Sequence, residues 1–215
     1  VIIAGAAREL IEFVEKVHAP CTNTLMGLGG VPGTHPLFMG MPGMHGTVYA
    51  NRAVHESDLL IAVGARFDDR VTGDLKKFSP NSKIIHIDVD PSAIAKNVKV
   101  DVPIVGDVKQ VLIELNKIVK AADTKAWLAE IERWKKDGPL RYKDDSHEIR
   151  PQYAIQRLAA IIPPGDDFRD QGVVHRRNPV SRVDVAVDPN AGAARKVQVF
   201  DLPGSRTEIL VGVLG

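Results

Sequence analysis

The chain has 215 residues, of which 44% are hydrophobic and 26% charged, and its net charge is +1. These values suit a soluble globular domain plus an extension, and they give no reason to expect nucleic acid or a membrane surface as a partner. No apolar run approaches the roughly 20 residues that span a bilayer. The single cysteine, Cys21, excludes an internal disulfide framework and is predicted to be a buried, inert thiol.

The amino-terminal residues carry neither an initiator Met nor a targeting pattern. Residues 1–5 run directly into a predicted helix at 6–17, whose Leu10, Val14 and Val17 share one face. A doubly wound sheet normally supplies a strand before such a helix. We therefore expect the chain to start just after its first strand and to be a fragment.

Strands and helices are predicted to alternate up to about residue 122. The predicted strands are 19–24, 58–63, 83–88 and 101–105, and the predicted helices that follow residue 17 are 47–56, 107–121, 124–136 and 151–162. The last helix is expected to bury Ile155, Leu158 and Ile162. The predicted fold is α/β, a Rossmann-like doubly wound parallel sheet that lacks its first strand and hence one edge.

Two glycine-rich stretches, 27–33 and 40–46, form one long loop, and long ordered loops are usually functional. The second stretch precedes a helix, so its N–H groups and the helix dipole could hold a pyrophosphate, with His45 as a further donor. A merely solvated histidine is the alternative for His45. Met41 and Met44 would either pack on a flat ring or fill the loop.

The strand at 58–63 leads into Gly64 and then into four charged residues within five positions. Ligands of open α/β sheets bind beyond the carboxyl ends of the strands. Gly64 permits close approach of the backbone to a phosphate, and Arg66 offers a fork of donors that fits one. A solvated turn is the alternative interpretation.

Two aspartates at the ends of later strands can each be interpreted as a ligand-binding or as a structural residue. Asp88 would accept hydrogen bonds from ribose hydroxyls or would simply form a turn with Val89, Asp90 and Pro91. Asp107 is predicted to cap a helix, and the same position would be a site for an adenine or ribose contact.

Several separated motifs, in order, resemble one family. Residues 64–73 read Gly-Ala-Arg-Phe-Asp-Asp-Arg-Val-Thr-Gly. Four further segments of different sequence carry the same resemblance: 23–29, 42–51, 86–90 and 106–108. From about Ile2 to Asp166 the chain resembles the acetohydroxyacid synthase (acetolactate synthase) large subunit. That family consists of thiamine-diphosphate enzymes with an FAD-binding middle domain.

The resemblance implies a set of FAD-binding residues. In the family the flavin performs no net redox step and is chiefly structural. Arg70 would face the substrate channel, where it would hold a pyruvate carboxylate. The implied FAD contacts are Thr24, Leu25, Pro42, Gly43, Met44, His45, Gly64, Ala65, Arg66, Phe67, Asp68, Arg70, Asp88, Val89, Asp107 and Val108.

The resemblance also implies what the parent enzyme does. It would be a cytoplasmic homo-oligomer with a small regulatory subunit that condenses two 2-oxoacids, pyruvate or 2-oxobutanoate, in branched-chain amino-acid biosynthesis. It would use thiamine diphosphate and Mg²⁺. In the family an amino-terminal glutamate activates the thiamine ring, and a carboxyl-terminal Gly-Asp-Gly…Asn motif holds Mg²⁺ and the diphosphate. We find no Gly-Asp-Gly in this sequence. We therefore expect this chain to be inactive, with no catalytic residue or metal ligand of its own.

These patterns divide the chain into four parts. Residues 1–122 are predicted to be the FAD-binding domain, 123–150 a helical linker and 151–166 the start of the diphosphate-binding domain. The resemblance stops near Asp166. We interpret 167–215 as a tail produced by a reading-frame shift, and we expect low order there and assign it no function; a natural variable extension is the alternative.

Two other function classes stay open. One is a stand-alone module that binds FAD, ADP or NAD without catalysis. The other is a different thiamine-diphosphate decarboxylase or carboligase, which the Arg-Phe-Asp-Asp-Arg string disfavours.

Overall fold

A computed structural model describes residues 1–142, 149–161 and 209–213. The chain divides into two compact units, one formed by Val1–Leu140 with Pro203–Gly215 and the other by Arg141–Leu202. The first unit holds a parallel sheet with helices, and this confirms the predicted α/β class. The predicted boundaries at residues 122, 150 and 166 stay predictions.

The sheet of the first unit has five strands, all parallel to their neighbours, in the order β1-β5-β2-β3-β4. Four of them lie within predicted strands and are equal to them or up to three residues shorter. Because the pairing is parallel throughout, all five carboxyl ends lie at one edge. The strands are β1 Cys21–Asn23, β2 Leu59–Val63, β3 Lys83–Asp88, β4 Val102–Val105 and β5 Ile209–Val213.

Four helices of this unit begin and end within three residues of the predicted positions, and one short helix at 69–72 was not predicted. Two N-caps are formed by side chains that accept a backbone N–H: Thr47 from Ala50 at 3.1 Å and Asp107 from Gln110 at 3.1 Å. The predicted cap at Asp107 is thereby confirmed, whereas the cap at Thr47 was not predicted. The helices are α1 Ala7–Val17, α2 Val48–Glu56, α3 Asp69–Thr72, α4 Val108–Ile118 and α5 Lys125–Asp137.

Helices cover both faces of the sheet, as doubly wound folds require. On one face α1 and α4 form a core with the strand residues Cys21, Ile61, Val63 and Ile87. On the other face α2 and α5 pack on Leu60, Ala62 and Ile84. Neighbouring residues of β2 thus enter different cores, because successive side chains of a strand point to opposite faces.

Strand β5 differs from the expectation for the tail. Sequence analysis assigned no strand to 167–215, yet Ile209–Val213 lies between β1 and β2. A short, continuously apolar run gives no period by which to recognise a buried strand, and here no resemblance supported one. Residues 2–5 form turns rather than a strand, so no strand precedes α1, as expected, and the sheet position between β1 and β2 is filled by β5. Residues 167–208 and 214–215 lie outside the described part.

In the second unit, helix α6 (Pro151–Ile161) starts at the predicted residue, but its apolar stripe is not buried. Ile155 is 66% exposed and Leu158 is 54% exposed, so their predicted burial is wrong; Ile162 lies outside the described residues. Helical periodicity identifies a face that is able to pack, but not whether another element covers it.

Helix α5 lies within the predicted linker, and it packs on α2 through Trp127, Ile131 and Trp134. None of the helices in the described ranges is long and apolar enough to cross a membrane.

We predict that Leu10→Ala lowers the free energy of unfolding by about 3 kcal/mol, because it leaves a cavity where α1 meets the sheet. Leu10 is 0% exposed. Urea denaturation would measure the loss. Glu12→Ala, which removes an exposed partner of Lys16 on the same helix, should change stability by no more than about 0.5 kcal/mol. Equal effects of the two substitutions would contradict the packing described for α1.

Candidate functional site

The carboxyl ends of four strands bring the predicted site segments to one edge of the sheet. Thr24 follows β1, Gly64 follows β2 and Asp88 ends β3, while Gly106 follows β4. Two hydrogen bonds join neighbouring ends: Gly64 N–H donates to the carbonyl of Ile87 at 2.7 Å, and Gly106 N–H to that of Asp88 at 2.9 Å. The segments after β2, β3 and β4 therefore lie side by side.

An open cleft of about 310 Å³ lies at the β1 and β2 side of this edge. It brings together segments that are far apart in sequence: the turn after β1, the glycine-rich loop and the charged string after β2. Eight of the sixteen predicted FAD residues line it. The lining residues are Thr24, Leu25, Met26, Met41, Pro42, His45, Arg66, Phe67, Asp68, Arg70 and Val71.

The backbone at residues 64–68 is held in an unusual conformation. Gly64 has φ +71° and Phe67 has φ +54°, a left-handed value that costs a non-glycine residue of order 1 kcal/mol or more. The ring of Phe67 is buried and packs edge-on against His86, with centroids 5.1 Å apart, and against Phe78 at 5.8 Å. The inward Phe67 leaves its neighbour Arg66 exposed at the cleft.

The carbonyl groups of this loop are bonded within the protein, whereas its N–H groups find no acceptor among the described residues. His86 Nε2 contacts the Ala65 carbonyl at 2.5 Å, and the Asn97 amide donates to the carbonyls of Arg66 and Phe67 at 3.1 and 3.0 Å. Within the described ranges, the N–H groups of residues 65–68 have no acceptor. This arrangement orients the peptide dipoles so that donors are left for a ligand.

His86 is fully buried in β3, and its partner determines its protonation. A carbonyl oxygen can only accept, so Nε2 must carry the proton that is donated to Ala65. Burial lowers the pKa of His86, and the hydrogen bond to Ala65 and the charge of Asp88 oppose that shift without reversing it. His86 is therefore a neutral donor that fixes the loop after β2.

The charges at the cleft are partly paired. Arg66 forms an exposed ion pair with Asp68 at 2.8 Å, which leaves other guanidinium N–H donors for a ligand. Arg70 lies on α3, is exposed and carries no ion pair with another described residue. The two guanidinium groups make this part of the cleft attractive to an anion.

The glycine-rich loop forms a wall of the cleft rather than a set of donors. The Asn51 side chain clamps Gly43, accepting from its N–H at 2.7 Å and donating to its carbonyl at 2.9 Å. The N–H of Met44 donates to the Arg70 carbonyl and that of Gly46 to the Gly43 carbonyl. The N–H groups of these three residues are already bonded within the protein, and contacts of this loop with a pyrophosphate stay a prediction.

Gly43 is required at its position for a steric reason. Its φ is +93°, and a Cβ there would lie 2.4 Å from the Arg70 carbonyl oxygen and 2.9 Å from the Val71 Cα. The loop and helix α3 thus approach more closely than any side chain allows.

The remaining predicted residues lie along the same edge, beside the cleft. Asp88 is buried and accepts the Asp90 N–H at 2.9 Å, as the turn interpretation requires, while Asp107 acts as the cap of α4. Neither bond occupies both oxygens of its carboxylate. Val89 is exposed and Val108 is part of the core. The part of the chain that the structure describes has no cluster of three or more His, Cys, Asp or Glu side chains suited to a metal ion.

Sequence analysis did not single out three residues that hold the site together. Asn51 and His86 lie inside the strings that carry the family resemblance, so their positions were visible but their roles were not. Asn97 follows no motif, and only the fold brings it to the loop after β2. Met26 and Val71 complete the cleft lining.

We predict that His86→Leu lowers the free energy of unfolding by about 2 kcal/mol at pH 7.5, because the buried Ala65 carbonyl loses its donor. The lowered pKa of His86 means that the unfolded chain binds its proton more readily, so its stabilising effect is present above about pH 6.5 and is lost as pH falls below it. Urea unfolding at pH 7.5 and 5.5 measures both effects. His86→Gln, which keeps a donor, should be less destabilised and should lose the same pH dependence; an unchanged dependence would disprove the assignment to His86.

We predict that Gly43→Ala destabilises the chain by about 1–3 kcal/mol and distorts the cleft, because a Cβ at this φ meets the backbone of α3. Gly33→Ala is the matched control, since a Cβ there meets nothing within 4 Å. Thermal denaturation of both variants is the measurement. If the two melt together, the loop and α3 are not in the described contact.

Comparison with known proteins agrees with this geometry. The family described as "Thiamine pyrophosphate enzyme, central domain" matches residues 1–115. The acetolactate synthase large subunit of Buchnera aphidicola subsp. Schizaphis graminum is 47% identical over 162 residues, which are 74% of this chain and 28% of that protein. The probable acetolactate synthase large subunit of Methanocaldococcus jannaschii is 48% identical over 165 residues, 75% of this chain and 28% of the relative.

A plant protein, "Acetolactate synthase 1, chloroplastic" of Oryza sativa subsp. japonica, is 51% identical over 161 residues, 72% of this chain and 25% of its own length. The chain thus spans little more than a quarter of the curated relatives that it matches. The matched residues contain the cleft and the strand ends that form it. The chain belongs to the thiamine pyrophosphate enzymes, of which it carries the central domain.

Proposed function

We propose that this chain is part of an acetolactate synthase large subunit and that its sheet edge binds FAD. The observation that carries the proposal is the loop after β2. The N–H groups of residues 65–68 have no acceptor among the described residues, the loop carbonyls are bonded inside the protein, and Arg66 and Arg70 are exposed beside them. Open N–H groups and guanidinium donors at a strand end are what a pyrophosphate requires.

The described residues fit the other parts of a flavin dinucleotide. Leu25, Met26, Met41 and Pro42 give one side of the cleft an apolar lining that suits a flat ring. Asp88 and Asp107 lie beside the cleft, and one carboxylate oxygen of each accepts a backbone N–H. The other oxygen of each can accept a hydrogen bond from a ribose hydroxyl. A bound flavin would supply structure here and no redox step.

The whole enzyme would condense two 2-oxoacids, such as two pyruvates to 2-acetolactate, with thiamine diphosphate and Mg²⁺, in branched-chain amino-acid biosynthesis. The relatives, which are named as acetolactate synthase large subunits, support this activity. We further propose a small regulatory subunit, a homo-oligomer and a cytoplasmic location for the bacterial type. Since the sequence has no Gly-Asp-Gly motif, we propose that this chain alone binds the flavin without condensing 2-oxoacids.

The second candidate is a nucleotide-binding module without any preference for flavin. It is favoured by the position of Asp88 and Asp107, which would serve the adenosine half of FAD, ADP or NAD equally. Competition between FAD and ADP separates the two proposals. ADP that displaces FAD at equal concentration would favour the general module.

We predict that the full 215-residue chain quenches flavin fluorescence saturably and that Arg66→Ala weakens binding about tenfold to a hundredfold. That range corresponds to one charge-assisted hydrogen bond to phosphate, about 1.5–3 kcal/mol. Asp68→Asn should act in the opposite direction, up to about fivefold, because it releases Arg66 from an exposed ion pair.

The matched control is Arg133→Ala. Arg133 is also an exposed arginine paired to a carboxylate, that of Glu130, but it lies on α5 away from the cleft. It should leave the affinity unchanged. No saturable binding by a folded wild-type chain, or equal losses in Arg66→Ala and Arg133→Ala, would contradict the proposed site.

A further inference from the structure

A second cavity, of about 160 Å³, lies beside the cleft. Pro42 of the glycine-rich loop and Val71 of α3 line both spaces, so these two residues form the partition between them. The rest of its lining comes from α2, α3 and residues 77–79. Apart from Pro42, none of the residues implied to bind FAD lines this cavity, and the flavin proposal leaves it without a role.

The inner surface of the second cavity is apolar. Pro42 and Val54 are buried there, and Val71 and Phe78 are half-buried. The ring of Phe78 packs edge-on against the buried Phe67, with centroids 5.8 Å apart, and this contact holds the Phe78 ring in place. An apolar group is stabilised when it leaves water for such a surface, whereas a hydrated ion loses its hydrogen-bond partners there.

Hydroxyl groups fasten the segment that carries Phe78 to the end of α2. Ser79 Oγ donates to the Val54 carbonyl at 2.6 Å. Ser82 Oγ lies 2.6 Å from Ser79 Oγ and 2.8 Å from Ser57 Oγ. Since Ser57 and Ser79 are buried, water does not compete for these bonds. The cavity is therefore formed before a ligand arrives, which lowers the ordering cost of binding.

The polar side chains of the inner wall are already bonded within the protein. Asn51 bonds to both backbone groups of Gly43. Thr72 Oγ1 donates to the Asp68 carbonyl at 3.2 Å, and Ser79 donates to α2. The polar end of a ligand is therefore expected at the mouth of the cavity.

Two basic side chains, Lys77 and His55, are exposed at this mouth. The Lys77 ammonium lies 3.9 Å from a carboxylate oxygen of Asp74, and both side chains are mainly exposed, so this ion pair is weak. An ammonium group has three N–H donors, and most of this capacity is left for a ligand. The His55 ring has no hydrogen-bond partner among the described residues. The mouth thus suits a carboxylate.

The volume limits the size of the ligand. Pockets for drug-sized molecules measure about 300–1,000 Å³, whereas an apolar cavity of about 150 Å³ holds a molecule of the size of benzene. The second cavity, at about 160 Å³, belongs to the smaller class. Its occupant therefore has roughly seven non-hydrogen atoms.

We propose that the second cavity binds a small monocarboxylate whose apolar tail has about four carbon atoms. The carboxylate lies at Lys77 and His55, and the tail packs on Val54, Val71 and Phe78. The site is separate from the proposed flavin site and does not rest on it.

Pentanoate is the probe, titrated into the ¹⁵N-labelled 215-residue chain without flavin while amide chemical shifts are recorded. We expect saturable shifts at Val54, Val71 and Phe78, with a dissociation constant on the order of 1 mM. Pentanamide, which has the same shape without the charge, should bind more weakly. Acetate should bind roughly tenfold or more weakly, because each buried CH₂ group raises affinity about fourfold.

Three results of this titration would overturn the proposal. One is the absence of saturable shifts at about tenfold above the expected dissociation constant. Another is acetate binding as tightly as pentanoate, which would mean that anions are attracted to surface charges without use of the apolar interior. The third is a set of shifts confined to cleft residues such as His45 and Arg66, which would place the probe in the cleft.

Lys77→Met tests the mouth, because it removes the charge and keeps an unbranched apolar side chain. It should weaken pentanoate binding about threefold to tenfold, as expected for an exposed charged partner. Lys76→Met is the matched control, since Lys76 is the exposed neighbour and lines neither cavity. Both side chains are exposed, so both variants should fold. Equal losses of affinity in the two variants would contradict the assigned site.

Discussion

The parallel alignment of five strands is the constraint on which the rest of this structure depends. It places the residues that follow β1, β2, β3 and β4 at one edge, where the bonds of Gly64 to Ile87 and of Gly106 to Asp88 hold neighbouring ends together. Helices on both faces then leave this edge as the open side of the unit. The cleft is a direct result of strand direction rather than of any one motif.

In the loop after β2 the carbonyl groups are bonded within the protein, and the N–H groups of the same loop are left as donors for a ligand. The side chains of His86 and Asn97 donate hydrogen bonds to carbonyls of this loop, and the buried ring of Phe67 fixes the turn. Each of these contacts comes from a residue that does not line the cleft, except for Phe67 itself. The loop is therefore rigid before any ligand arrives, which reduces the ordering cost of binding. The glycine-rich loop has the complementary role of a wall, held by Asn51.

Strand β5 makes the sheet depend on a segment that is remote in the sequence. An interior position that is filled by a remote segment makes the completeness of the sheet depend on a long connection, whereas the other strands follow one another at short intervals. The proposed flavin site uses the carboxyl ends of β1 and β2, whereas β5 pairs with their backbones. Loss of β5 would thus affect the cleft through the spacing of Thr24 and Gly64.

The sequence by itself determined the class of the fold, four of the five strands and the helix cap at Asp107, because hydrophobic periodicity and capping are local. It also brought out the string from Gly64 to Arg70, since its residue types are specific. Tertiary structure alone decided the place of Ile209–Val213, the exposure of Ile155 and Leu158, and the use of the Gly43, Met44 and Gly46 N–H groups. These depend on which distant backbone lies alongside. Local pattern states what a segment is able to do, and only packing between distant segments selects among those possibilities.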